Sequence, residues 1–461
     1  MNSTLILALL LFLLLVISTY SAYKRMSLVL AIFLFVLLFH ELFIRLFQNE
    51  LGFSASEVRF VSLWKEAVLG GLILAAIWKY ARRWRKLISE IGNIPFLIGT
   101  LMVAWGIISV AISPDRLAGL AAFRDYYEPL VILGLVLFAK PKEHELRRYI
   151  HIWLIIGAGM ALLGIWQGAF WGEQEYVMYG FGQPISEAGM PTVVLDGQTI
   201  YRPVSTVTGP NELGFHMVLL SIFTLKHLVL GRKKSRVCGV ILFIVFSTCL
   251  FYTRSRSDLL AYGITVGLVL IMSFRGFGLL YRRNPIWWWS AALTCVLLIT
   301  ALLYATGMVP FVLSTVRNLR SEYHVIDITE AIVFLAANPG GVGMGLAGPR
   351  IGAFFPETPA FHAEGSLFQI ALDMSVFGLL LWLAFVLSLI ISMFRRLRST
   401  EHQFLNSIQL TAITGWVGGL FVFLILPLMQ SMTLMSWMWF LLGNGVNAKM
   451  LENIWGDPAA S

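Results

Sequence analysis

Apolar runs of about 17–25 residues recur from one end of the chain to the other, each long enough to cross a bilayer as a helix. Short polar segments separate them. This pattern predicts thirteen spans, with cores near 4–22, 26–47, 60–78, 94–113, 120–139, 150–170, 210–229, 237–252, 257–274, 286–306, 371–393, 404–426 and 430–447. The expected fold class is all-α: a polytopic helical membrane protein of about 12–13 transmembrane helices, one domain over 1–461. Two connections are long, 171–209 and 307–370, and connections of that length are commonly functional. The second holds a helix-like stretch, Ile326–Ala337. The first run, Leu5–Ser18, has no basic residue before it and no small-residue cleavage site, so it is expected to be a retained span and not a signal peptide. No internal repeat is visible.

Composition supports this picture. The chain is 58% hydrophobic and 13% charged, whereas a soluble domain carries about 25% charged residues. The net charge of +9 would point to nucleic acid in a soluble protein. Here most of it falls in alternate loops: Lys24/Arg25, the 79–86 segment, 140–148, 226–236, 275–283, 395–398 and Lys449. By the positive-inside rule these loops are cytoplasmic, which puts the N-terminus outside, the C-terminus inside and both long loops outside. The cytoplasmic loops run to about a dozen residues, too short for a nucleotide-binding domain of at least about 50. Cys238, Cys249 and Cys295 form no CxxC pair and lie in or at the ends of apolar spans, so neither a metal knuckle nor a disulfide framework is expected.

The remaining basic residues are Arg45, Arg59, Lys65, Arg116, Arg124, Arg202, Arg254, Arg256, Arg317, Arg320 and Arg350, all toward the expected outer side. All but Lys65 are arginine, whose planar fork of donors grips phosphate bidentately. Local pairing is the competing explanation. Glu41/Arg45, Arg124/Glu128, Arg254/Asp258 and Glu212/His216 each have the i, i+4 spacing of facing helical residues. Arg256 has no acid at that spacing, and Arg202 no acidic neighbour. Arg202 precedes a helix start at Gly209-Pro210-Asn211-Glu212, whose free amides favour an anion. The run Asn338–Arg350 contains GxGxxG (Gly343, Gly345, Gly348), but no strand precedes it, so a dinucleotide fingerprint is rejected. A tight turn and a backbone-amide cradle for phosphate or sugar are the two remaining readings. Beyond it, His362 and Glu364 place two titratable groups at the mouth of the next helix, where either can act as a base; His324 is a lesser candidate.

Several pieces, in order, resemble the O-antigen ligase and polymerase superfamily of bacterial envelopes. They are Trp64-Lys65-Glu66, Arg124-Asp125, Arg202 before Gly209-Pro210-Asn211-Glu212-Leu213-Gly214, and Thr253-Arg254-Ser255-Arg256-Ser257. The glycine run from Asn338, then Glu364-Gly365-Ser366-Leu367-Phe368-Gln369, and Gly378, complete the series. The resemblance covers roughly residues 60–393. It implies transfer of a glycan from undecaprenyl diphosphate to an acceptor hydroxyl on the outer face of the bacterial cytoplasmic membrane, without metal, cofactor or nucleic acid. Arg202 and Arg256, with Arg254 and Arg124, would hold the diphosphate. His362 would take the catalytic position, with Glu364 its rival because His-Ala-Glu replaces the His-Asn of ligases. Arg317, Arg320 and Arg350 would line the substrate rim. The Glu364–Gln369 segment looks more like an exopolysaccharide polymerase than a lipid A-core ligase. Implied partners are the lipid-linked donor and acceptor, membrane lipids, and proteins of chain-length regulation or export. A ligase of the same superfamily, a transporter or lipid-linked glycan flippase, and a non-catalytic partner in a polysaccharide export complex are the alternatives.

Overall fold

A computed structural model describes residues 3–80, 92–181, 190–195, 198–230, 233–276, 323–348, 361, 363–397 and 399–456. The expected span 286–306 and the residues Arg317, Arg320, Arg350 and His362 lie outside this set. The described chain is almost entirely helical. Its only paired strands are the short hairpin Thr192–Leu195 and Gln198–Tyr201, in antiparallel register Thr192↔Tyr201. Eight described helices are long and apolar enough to cross a membrane, from Ile6–Leu37 to Gln403–Ile425. The protein is an all-helical, multi-pass membrane protein.

Burial orders these helices. The apolar window of Gln403–Ile425 is 72% buried, that of Ile6–Leu37 only 11%, so the former is central and the latter peripheral. The centre is built of large rings: Trp153 stacks on Trp437 with centroids 4.9 Å apart, and Trp416 meets Trp439 at 4.5 Å. Glycines let the helices approach. A side chain at Gly415 would strike Leu219, one at Gly418 Thr265, and one at Gly443 Val136, which is the small-residue packing of membrane helices. On the outer helices large apolar side chains face outward at helical spacing, as with Ile94, Leu97, Leu101, Ile108 and Ile112. Such a stripe is a liability in water and a natural surface in lipid.

Local breaks shape the bundle. Helix Ser3–Leu37 is non-helical at Arg25. Gly70 and Gly71 of helix Trp64–Tyr80 meet Leu15 and Ser18, and Lys79 Nζ donates to Tyr23 O, yet Trp64 meets Phe33 and His40. Contacts on the two sides of Arg25 thus run in opposite senses along the same helix, and the chain turns back there. The expected span 26–47 is interrupted at Leu38–Phe39 and continues as the helix His40–Asn49. A second break lies at Ser375 (φ 70°) inside Ser366–Leu397.

The two ends of the bundle differ in charge. At one end Arg147 pairs with Glu143 and lies over Phe404, His402 faces Glu143, Arg396 donates to Val446 O, and Lys449 to Ser399 O. Trp455 donates to Pro141 O there. This basic end collects the loops around Lys24, Lys79, Lys140, Arg395 and Lys449. At the opposite, loop end lie the strand hairpin, the helix start at Pro210, the glycine run and the turn Leu428–Gln430.

Candidate functional site

Arg202 leaves the second strand in a fixed frame. Its N–H donates to Pro191 O, its carbonyl accepts from Tyr176 Oη, and Gln167 Oε1 accepts from the amides of Val204 and Ser205. The side chain then crosses to two other elements. Nε donates to Thr253 O at 2.7 Å, and Nη2 donates to Asn211 Oδ1 on the first turn of helix Pro210–Leu230. Asp258 is fully buried at the start of Arg256–Gly276. Only a glycine at 214 leaves it room, since a side chain there would meet its Oδ2 at 2.4 Å. Burial lowers the Arg202 guanidinium to about 10; Asp258 opposes the fall, and Arg256 and Arg254 add to it. Arg202, Arg254, Arg256 and the acid Asp258 thus lie near enough to one another to interact electrostatically.

This changes the expected partnerships. Arg202, expected to lack a partner, has two hydrogen-bond partners, Thr253 O and Asn211 Oδ1. Arg254, whose spacing allows a pair with Asp258, does not form it. It takes a left-handed conformation (φ 51°) between helices Lys233–Thr253 and Arg256–Gly276. It is outside the second helix, so the i, i+4 geometry is lost. Its Nη1 is buried and makes no hydrogen bond among the described residues. Arg256 is half-buried beside it.

Arg124 belongs elsewhere. It pairs with Asp125 at 3.0 Å, Glu66 at 3.6 Å and Glu128 at 4.0 Å. The expected Glu128 pairing is thus the longest of three. With His40, Glu41, Lys65, Thr208, Gln430 and Ser431, the residues Arg124, Asp125 and Glu128 line a cleft of about 440 Å³, part of it open solvent. Two further expected pairs are rearranged. Arg45 donates through Nη2 to Val207 O and Thr208 O and lies 4.0 Å from the Phe181 ring centre, without bonding Glu41. Glu212 accepts from Ser431 Oγ at 2.7 Å, and His216 meets only its backbone carbonyl. The cleft is not legible in the sequence, where Glu41, Arg124 and Glu128 stand out only as members of local pairs and Lys65 and Asp125 only within short motifs. Its walls come from segments far apart in the chain, and no local spacing joins them.

The glycine run is a turn, not a ligand cradle. Gly341, Gly343, Gly345 and Gly348 all have positive φ. The amides of Gly345, Leu346 and Ala347 do converge, but on Asp373 Oδ1 at 3.0, 3.2 and 3.0 Å, while Tyr126 Oη donates to Asp373 Oδ2. A carboxylate of the protein fills the place proposed for phosphate or sugar. Asp373 and Tyr126 were not anticipated. Glu364 is partly buried just before helix Ser366–Leu397. Ser366 Oγ accepts from Met429 N–H, beside Gln430 of the cleft. This connects the Glu364 segment to the cleft floor.

Among the described residues no group of three or more His, Cys, Asp or Glu is arranged to hold a metal ion. No protein-family model matches the sequence, and no curated protein resembles it significantly.

Proposed function

We propose that this protein polymerises oligosaccharide repeat units linked to undecaprenyl diphosphate, on the outer face of the bacterial cytoplasmic membrane. The observation that carries the reading is the group Arg202–Arg254–Arg256 beside the helix start at Pro210, with Asp258 buried next to it. Such a group suits a diphosphate, whose charge grows as it departs. The sequence resemblance supplies the reaction. The acceptor hydroxyl attacks the anomeric carbon of the donor sugar, the bond from that carbon to the diphosphate oxygen breaks, and undecaprenyl diphosphate leaves with the electron pair. His362 or Glu364 takes the hydroxyl proton. Arg317, Arg320 and Arg350 contact substrate at the rim. Arg124, held by three carboxylates in a different place, is set apart from this group, and the diphosphate is assigned to Arg202, Arg254 and Arg256.

The test is complementation of a deletion strain with Arg202→Ala and Arg256→Ala chains of normal abundance. Each should lower polymer formation about 100-fold and leave lipid-linked single units in the membrane. Full-length polymer from both would remove the proposed roles. Unattached polymer in place of single units would favour a ligase of the same superfamily. Lipid-linked units confined to the cytoplasmic leaflet would favour a flippase.

A further inference from the structure

We propose that the cleft between Glu128, Lys65 and Thr208 is a separate subsite for the acceptor glycan. The inference rests on the transferase reading above and assigns its second substrate. Three observations carry it. First, the Glu128 side chain is only 8% exposed, lines the cleft, and has an Oε1 without a hydrogen-bond partner among the described residues. A buried carboxylate oxygen left unsatisfied is costly unless a ligand supplies a donor. Second, the charge has the wrong sign for a diphosphate. Glu41, Asp125 and Glu128 face Lys65 and Arg124, and Glu66 adds a fourth carboxylate behind Arg124. Lys65 and Arg124 lie among these acids and oppose a cationic ligand as well. Third, the rest of the polar lining is uncharged: Thr208, which is exposed, with Gln430 and with Ser431 and Thr433, whose hydroxyls donate to Glu212 and Leu37 O. Hydroxyls that must both donate and accept are matched by such a mixture. A neutral, polyhydroxylated sugar is the ligand class that fits all three.

The position also suits an acceptor. Glu212 joins Ser431 of this cleft, while its neighbour Asn211 holds Arg202. The cleft and the arginine group therefore flank the same helix start. A donor diphosphate on one side and an acceptor sugar on the other would meet across Pro210.

Purified full-length protein in lipid nanodiscs distinguishes this from the underlying reading. Two probes are titrated while thermal stability is followed. One is inorganic pyrophosphate. The other is the repeat oligosaccharide released by mild acid from the host's own lipid-linked units. Wild type should respond to both. Glu128→Gln and Thr208→Val should weaken the oligosaccharide response at least tenfold and leave pyrophosphate unchanged, and Arg256→Ala should do the reverse. An oligosaccharide response that is absent in wild type, or unaltered in the cleft variants, overturns the acceptor site while a pyrophosphate response sensitive to Arg256→Ala keeps the transferase reading. Loss of the pyrophosphate response in wild type overturns the transferase reading and this one with it. The Thr208 side chain is exposed, so Thr208→Val decides the matter if Glu128→Gln does not fold.

Discussion

Arg202 shows why a guanidinium, and not merely a cation, stands at the helix start. Nε and Nη2 are committed to Thr253 O and Asn211 Oδ1, and the planar fork leaves Nη1 aimed in a fixed direction. A lysine has no such division of labour. Its ammonium would also sit where burial and the neighbouring Arg254 and Arg256 disfavour charge. For a cation whose pKa is lowered, the charged form persists below that pKa and is lost as pH rises through it. Arginine, brought down only to about 10, stays charged at neutral pH. A lysine starts lower, so the same surroundings bring its loss of charge toward neutrality. Arg202→Lys should therefore weaken pyrophosphate binding about tenfold, the cost of one good charge-assisted hydrogen bond. The weakening relative to wild type should grow between about pH 7 and pH 9, since the ligand's own titration is common to both. A constant ratio of variant to wild type would show that the site does not depress a cation. At this scale the sequence showed which residues carry charge but misassigned their partners. Spacing finds a partner only when both residues share an unbroken helix, and Arg254 does not share one with Asp258.

The helix Ser366–Leu397 is apolar throughout its middle, so the pattern predicts a single span over 371–393 and hides the break at Ser375. The break frees backbone groups that the glycine run then satisfies: Val342 N–H donates to Leu372 O and Val376 N–H to Pro339 O. Asp373 completes the join by accepting three amides and the Tyr126 hydroxyl. Removing a buried acceptor leaves each donor unsatisfied at about 1–3 kcal/mol. Asp373→Ala should accordingly cost at least about 3 kcal/mol and deplete folded protein, and Tyr126→Phe about 1 kcal/mol, both read from thermal unfolding in detergent. Equal melting of Asp373→Ala and wild type would show that the cradle is not structural. Glycine positions give a sharper contrast. A Cβ at Gly345 (φ 83°) would lie 2.3 Å from the Ala118 backbone, whereas one at Gly340 meets nothing within 4 Å. Gly345→Ala should abolish stable expression and Gly340→Ala should leave it intact. The repeated glycines were legible in the sequence; their purpose was not, because the anion they surround lies 28 residues from Gly345.

For the whole molecule, the alternation of basic and non-basic loops was the most informative pattern in the sequence. It implied two chemically different ends before any contact was known, and Lys79, Arg147, Arg396 and Lys449 do gather at one end while the arginine group and the cleft lie at the other. Which end faces out is a separate matter, since the fold fixes the ends and only the membrane names the sides. The charge rule assigns the basic end to the cytoplasm, and a transferase using a translocated lipid-linked donor needs the arginine end outside. Both requirements are met by one orientation, so a single measurement tests them together. Thr208→Cys, exposed in the cleft, should react with a membrane-impermeant maleimide in intact spheroplasts above the background of the parent chain. Lys449→Cys should react only after the membrane is opened. The opposite result would place the arginine group in the cytoplasm, where the short described loops offer no donor-activating domain, and would overturn the outward-facing polymerase at the level of topology alone.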